Sequence, residues 1–248
     1  MAAEEDSTED TPSVEELVEV RLQDLPRDVA RNMYYSILEP AFRPEELMTF
    51  DEIESAYAQR GNDPSCVILR HGEPVAVMLG EWYANRRVLL LSYLAVAAEA
   101  RGQRIGTRLI KSVLPRWHAG IPGVLVVAEV DDPRSWPGED GGLSAEATLR
   151  FYDRHGARLL PLRYFQPSLR SGSPRVHGMF LLRLDDSRKV PSDTLPEFLR
   201  EYFGSCEGVS AFKDPDVNAL LTDAARLDVN GGIWPVSQWM AIGKSEHS

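Results

Sequence analysis

The spacing of apolar positions divides the chain into stretches of period two and stretches of period 3.6. Val18–Leu22 alternates apolar and polar residues and predicts a first strand. A helix is expected from about Arg27 to just before Pro40, and a second after Pro44 with Leu47, Met48, Ile53 and Tyr57 as its apolar positions. Three strand-like runs follow, Ser65–Arg70, Pro74–Ala84 and Arg87–Val96, the first two joined by His71-Gly72-Glu73 as a hairpin. The third is apolar almost throughout, which suits a central strand covered on both faces. From Gly106 the period changes: Leu109, Ile110, Val113, Leu114 and Trp117 form a helical stripe that Pro115 is expected to kink or end. Val124–Val130 reads as another buried strand, followed by a Pro- and Gly-bearing loop from Asp131 to Leu143. Ser144 is placed to cap a helix that stops at His155-Gly156, and strands are expected at Ala157–Leu162 and His177–Leu184.

Three consecutive strands pair readily as a meander, whereas strand–helix–strand units require parallel neighbours. The expectation is an α/β fold with a mixed, mostly antiparallel sheet flanked by helices. Beyond Ser187, PSDTLPEFLREYFGSC and DPDVNALLTDAARL predict two amphipathic helices, and Ile233–Met240 brings two tryptophans. These lead to three expected units: a disordered acidic tail over residues 1–16, a domain over 17–186, and a C-terminal helical extension over 187–248. The extension reads as packing on the parent domain, a lid over a cleft, or a homodimer surface.

Charge adds little to this picture once it is located. The formal net charge is −11, but Glu4, Glu5, Asp6, Glu9, Asp10, Glu15 and Glu16 account for seven of those charges. The rest of the chain is only mildly acidic, and no basic patch for nucleic acid is evident. Cys66 and Cys206 are too few and too far apart for a disulfide framework or a zinc site, so reduced thiols and no metal are expected. No apolar segment follows Met1, and Val88–Ala98 is too short to span a bilayer. A soluble, cytoplasmic protein without membrane partners is expected.

Candidate chemistry concentrates in LAVAAEARGQRIGTRLIKSVL, Leu94 to Leu114. A buried strand ends, the loop Arg101-Gly102-Gln103-Arg104-Ile105-Gly106-Thr107 follows, and a helix begins. Unsatisfied backbone N–H groups and the positive end of the helix make such a loop an anion site. It lacks the Gly-Lys-Ser/Thr of a Walker loop and the three glycines of a dinucleotide fingerprint.

The segment resembles the acetyl-CoA-binding motif of the GNAT N-acetyltransferase superfamily, Arg/Gln-x-x-Gly-x-Gly/Ala, with Arg101 at its first position and Gly106 at its last. ATLRFYDRHGARLLP, Ala147 to Pro161, resembles that family's helix with a Phe-Tyr pair followed by a strand. There are two departures: Arg104 stands where the motif has its middle glycine, and Ala157 replaces an expected aromatic after Gly156. The resemblance covers about Leu17 to Leu184 and implies acetyl-CoA as co-substrate. Its binding residues would be Leu94, Ala95 and Val96 at the strand end, with Arg101, Gly102, Gln103, Arg104, Ile105, Gly106 and Thr107 in the loop.

The implied activity is transfer of an acetyl group to a primary amine of a small molecule or a protein. An amine must be neutral to attack a thioester, so a base is needed, with Glu81 and Glu129 as candidates and Asp131 just beyond. A backbone N–H near Ala95–Val96 would receive the oxyanion if that strand is splayed. Tyr152 matches the family's helix tyrosine, which implies that it is the acid for the departing thiolate, while Phe151 points about 100° away. His118 and His155 sit at helix ends, where they read as charge partners. The alternative is a non-catalytic acyl-CoA-binding sensor or partner-binding module on the same fold, favoured by Arg104 and the lack of an obvious base.

Overall fold

The computed structural model describes residues 17–58, 64–120, 123–137, 144–185 and 189–241. The expected acidic tail lies outside these residues, as does the second half of the loop after Asp131. Strand β1 (Leu17–Arg21) is followed by helix α1 (Arg27–Met33), which passes directly into a π turn at Tyr34–Leu38 and so ends before Pro40 as expected. Helix α2 (Phe50–Ala58) starts later than the apolar pattern suggests. Its start is fixed by a reciprocal cap, in which Thr49 N–H donates to Glu52 Oε2 (2.7 Å) and Glu52 N–H donates to Thr49 Oγ1 (3.3 Å). Leu47 and Met48 therefore belong to the preceding loop.

Strands β2 (Cys66–Arg70) and β3 (Glu73–Tyr83) form the expected hairpin. His71 and Gly72 both have positive φ, as a two-residue primed turn demands. Strand β4 (Val88–Val96) pairs antiparallel with β3 and parallel with β5 (Leu125–Asp131). Helix α3 (Ile105–Gly120) links them and runs through Pro115 without ending. It is held beyond the proline by Trp117, whose Nε1 donates to Pro64 O (2.9 Å). The Trp117 ring lies against β3 at Gly80, where a Cβ would sit 3.1 Å from it, so any larger residue there would crowd the ring.

After α4 (Ala145–Arg154) come β6 (Arg158–Leu160) and β7 (Met179–Arg183), both shorter than the apolar runs that contain them. Helices α5 (Thr194–Glu207) and α6 (Pro215–Arg226) follow, and then a short strand β8 (Trp234–Pro235) that the sequence did not suggest. The eight strands form one sheet in the order β1-β2-β3-β4-β5-β7-β6-β8, antiparallel except for β4–β5. This is the mixed, mostly antiparallel sheet expected.

Two apolar clusters show which helices cover which face. Leu89 and Leu91 of β4 and Val126, Ala128 and Val130 of β5 point to the side of α3 and α4. Val88 and Leu90, with Leu125 and Val127, point to the side of α5 and α6. The extension is also tied in by a buried cation: Arg183 on β7 donates to Val229 O (2.6 Å) and Asp185 O (2.7 Å).

Candidate active site at the opening between two parallel strands

β4 and β5 are paired only from Val88–Leu125 to Leu91–Ala128. The cause of their separation lies one residue further on. Leu79 of β3 faces Tyr93 while Gly80 faces Leu91, so Ser92 is an extra residue that bulges β4 and redirects it. Beyond the bulge β4 stays with β3 as far as Ala76–Val96, and β5 stays with β7 as far as Asp131–Met179. The edges of 92–96 and 129–131 thus face an opening, and among the described residues no strand pairs with either.

At the far end of β4 the chain makes one 3-10 turn, Ala98–Ala100, and enters the glycine-bearing loop. Gly102 has φ +78° and Arg104 φ +62°. Arg104 therefore adopts the left-handed conformation that the glycine motif would supply, at a cost on the order of 1–2 kcal/mol for a residue with a Cβ. The first helical bond of α3 runs from Arg108 N–H to Arg104 O (3.0 Å), which leaves the N–H groups of Ile105, Gly106 and Thr107 without a helical acceptor. Gly102, Gln103 and Arg104 are exposed, and a Cβ on Gly102 would meet nothing within 4 Å. The exposed loop and helix end thus fit a pyrophosphate. Side chains brace the loop: Gln103 accepts from Arg70 and donates to Glu99 O (3.1 Å), and Arg101 Nε donates to Val96 O (3.3 Å).

Helix α4 begins at Ser144, whose Oγ accepts from Ala147 N–H (3.2 Å), and it packs on β5. It presents Phe151 and Tyr152 differently. Phe151 lies over Gly106 and Val96, whereas Tyr152 is buried, 6% exposed, in the cluster that holds Ala95, Ile105 and Val130. Burial pushes the Tyr152 phenol well above its ordinary range, so it keeps its proton. Among the described residues its hydroxyl makes no hydrogen bond.

The two expected carboxylates lie on the other face. Glu129 continues the Leu125–Val127 alternation, towards the cluster that contains Tyr164 and Tyr202. It accepts from the Tyr164 hydroxyl, from Gln166 Nε2 (3.0 Å) and from the Tyr202 hydroxyl (3.4 Å). Burial raises its pKa to about 7; the three donors oppose that rise and the nearby Glu81 adds to it. Glu81 accepts from the Ser92 hydroxyl (2.8 Å) and from Tyr83 (3.2 Å), so the bulged residue itself orients this carboxylate.

Two further carboxylates join them. Glu46, 8% exposed, is raised to about 7 by burial and by Asp131, with Glu129 also in electrostatic range. Arg43 bridges Glu46 and Asp131, holding the latter with two bonds of 2.8 and 3.0 Å, and lies 3.7 Å from the centre of the Trp136 ring. The carboxylates of Glu46, Glu81, Glu129 and Asp131 therefore gather at the mouth of the opening with one intervening guanidinium.

Residues Glu46, Arg43, Tyr164, Gln166 and Tyr202 carry no motif and come together only through the fold. The two helix-end histidines have structural partners: His118 lies 3.2 Å from Asp185, and His155 Nδ1 lies 2.7 Å from Phe151 O. Cys66 and Cys206 are free thiols that burial raises to about 12. Among the described residues no cluster of His, Cys, Asp or Glu is arranged to hold a metal, and no helix is long and apolar enough to cross a membrane.

Residues 31–135 match the model of the acetyltransferase (GNAT) family. No curated protein matches the sequence. Among solved structures, a GNAT-family protein from Bacteroides thetaiotaomicron is similar at 20% identity with a TM-score of 0.54, covering 78% of this chain and 99% of that one. The ribosomal-protein-S18-alanine N-acetyltransferase of Escherichia coli is similar at 13% identity with a TM-score of 0.48, covering 68% of this chain and 93% of its own. The matched segment runs from α1 through the strand opening to the loop after β5.

Proposed function

We propose that the protein is an acetyl-CoA-dependent N-acetyltransferase acting on a primary amine. The observation that carries this reading is the placement of two proton-handling groups on opposite faces of the sheet, with the β4–β5 opening between them. Glu129 stands on one face and Tyr152 on the other. An amine entering from the carboxylate side attacks the thioester carbon, forming the C–N bond as the C–S bond breaks. Glu129 receives the amine proton, with Glu81 beside it, and Tyr152 gives its proton to the departing thiolate. The unpaired edge of Ser92–Val96 offers backbone N–H groups to the oxyanion.

The pyrophosphate of the donor would lie on the N–H groups of Ile105, Gly106 and Thr107, with Gly102 and Arg104 shaping the approach. The carboxylates around the mouth favour an acceptor that arrives as a cation. The amine then loses a proton to a group whose pKa near 7 suits it to receive one. Release of free thiol from acetyl-CoA, followed across a panel of primary, secondary and peptide N-terminal amines, tests the reading. Turnover with a primary amine, and its loss in Glu129→Gln, are the expected results. Tight acetyl-CoA binding without thiol release on any amine would favour an acyl-CoA-binding module instead.

A further inference from the structure

We propose that Tyr164, Gln166 and Tyr202 are positioning residues that hold Glu129 in one orientation at the strand opening for proton uptake. This deepens the reading above and rests on Glu129 being the proton acceptor. The three donors come from two separate elements, the connection between β6 and β7 and helix α5, and all converge on one carboxylate. A carboxylate satisfied by three donors has little rotational freedom, so its lone pairs are fixed relative to the opening.

The backbone that carries two of these donors is itself fixed. Gln166 and Val176 exchange both backbone hydrogen bonds, at 2.9 and 3.1 Å, an isolated bridge within a connection that otherwise has no strand structure. Arg175 locks the same connection to the extension through Glu207 (2.6 and 2.9 Å) and Asp214 (2.9 Å). Phe165, between the two donors, packs on Phe203 of α5 and stacks with His177. Tyr202 is held in turn by the rings of Phe198 and Tyr83.

Gln166 shows most plainly what this arrangement serves. The residue is 6% exposed, and its amide directs Nε2 at Glu129 while Oε1 finds no partner among the described residues. An orphaned buried carbonyl costs stability. The side chain satisfies the carboxylate at the expense of its own oxygen, which packing alone does not require. Tyr202 adds a second point: it lies in α5, outside the residues that match the family, so this chain's extension reaches the site.

The other titratable groups facing Glu129 set the direction of the test. Glu81 and Tyr83 approach from β3, Tyr93 from β4, Glu46 from the loop before α2, and Cys206 from α5. None of these is a cation, and the nearby Arg43 is taken up by Glu46 and Asp131. The donors are therefore what keeps the carboxylate form accessible against burial and its acidic neighbours. Removing one makes Glu129 harder to ionise and moves the acid limb of the pH profile upward.

The test uses the full chain with Tyr164→Phe, Tyr202→Phe and Gln166→Leu, each checked for native circular dichroism. Two readouts are taken: kcat/KM for acetyl transfer against pH, and the pH titration of the Glu129 carboxyl carbon by 13C NMR. The expected result is an upward move of about one pH unit in both for at least Tyr164→Phe, with KM for acetyl-CoA unchanged and the high-pH plateau kept within about twofold. Undiminished turnover in Glu129→Gln would overturn the assignment of the base and the positioning role with it. Loss of turnover in Glu129→Gln, with limb and titration unmoved in all folded donor variants, would overturn the positioning role alone.

Discussion

The ring of Phe151 lies 3.6 Å from the point where a Cβ on Gly106 would sit, and Val96 Cγ2 lies at the same distance from that point. These are ordinary contacts, so the glycine is not sterically required on that side. Gly106→Ala should therefore leave the melting temperature essentially unchanged or slightly raised, since alanine favours the first turn of α3. Gly106→Glu differs in adding a negative charge among amides that would receive phosphate. Acetyl-CoA affinity measured by calorimetry should fall roughly tenfold or more. Equal affinity in the Glu variant would remove the loop from the binding site.

Arg104 is the second position where the loop sets one requirement against another. Its φ of +62° suits glycine, yet a long cation stands there. Arg104→Gly relieves the backbone but adds freedom to the unfolded chain, so the net change in stability should be within about 1 kcal/mol. If the guanidinium meets phosphate, acetyl-CoA affinity should fall a few-fold and become less dependent on salt. Arg104→Ala separates the two effects, because it keeps the strained Cβ and discards the charge. Affinity and salt dependence unaltered in both variants would leave Arg104 as a plain loop residue.

The loop and the helix that follows it were legible in the sequence because both are local. A near-continuous apolar strand, two glycines and a helical stripe sit within twenty or so consecutive residues around 94–114. The start of α2 was misplaced because Leu47 and Met48 fit a helical period, while the cap between Thr49 and Glu52 determines where the chain first turns. Pro115 was expected to kink or end α3; the helix does not end there, and packing of Trp117 on Gly80 holds the chain helical beyond it. Strand β8 was invisible because two residues cannot display a period. The carboxylate environment was hidden for a different reason: Glu46, Glu129, Gln166 and Tyr202 are far apart in sequence and carry no shared pattern until the sheet assembles them.

That assembly has a consequence for stability. Glu46 and Glu129 both stand near 7 in the fold and near 4.5 when exposed, so folding takes up protons between those values. A raised carboxyl pKa costs stability as pH rises from about 4.5 through 7, and the cost is absent below that window. Within it the melting temperature should rise as the solution is acidified from pH 7 to pH 5. Both groups titrate over the same range, so one broad transition is expected. Glu46→Gln should flatten it, with a gain at pH 8 on the order of 2 kcal/mol. A wild-type melting temperature flat over this range, or steeper in Glu46→Gln, would contradict the raised pKa values.

Tyr152 provides the most direct test of the proposed chemistry. Its hydroxyl has no hydrogen-bond partner among the described residues, and burial keeps it protonated through the neutral range. With no such partner, the hydroxyl is left for a group that meets it during turnover. The departing thiolate of acetyl-CoA is the group proposed to do so. Tyr152→Phe keeps the ring and its 5.4 Å edge contact with Phe151 while removing the proton. The variant should melt at the wild-type temperature, because no hydrogen bond is lost. It should bind acetyl-CoA with unchanged affinity, and kcat should fall by roughly 10²–10⁴-fold. Full turnover in the Phe variant would reduce Tyr152 to core packing. A clear loss of stability would place a structural partner on its hydroxyl instead, and the acid would then have to be sought on the carboxylate face.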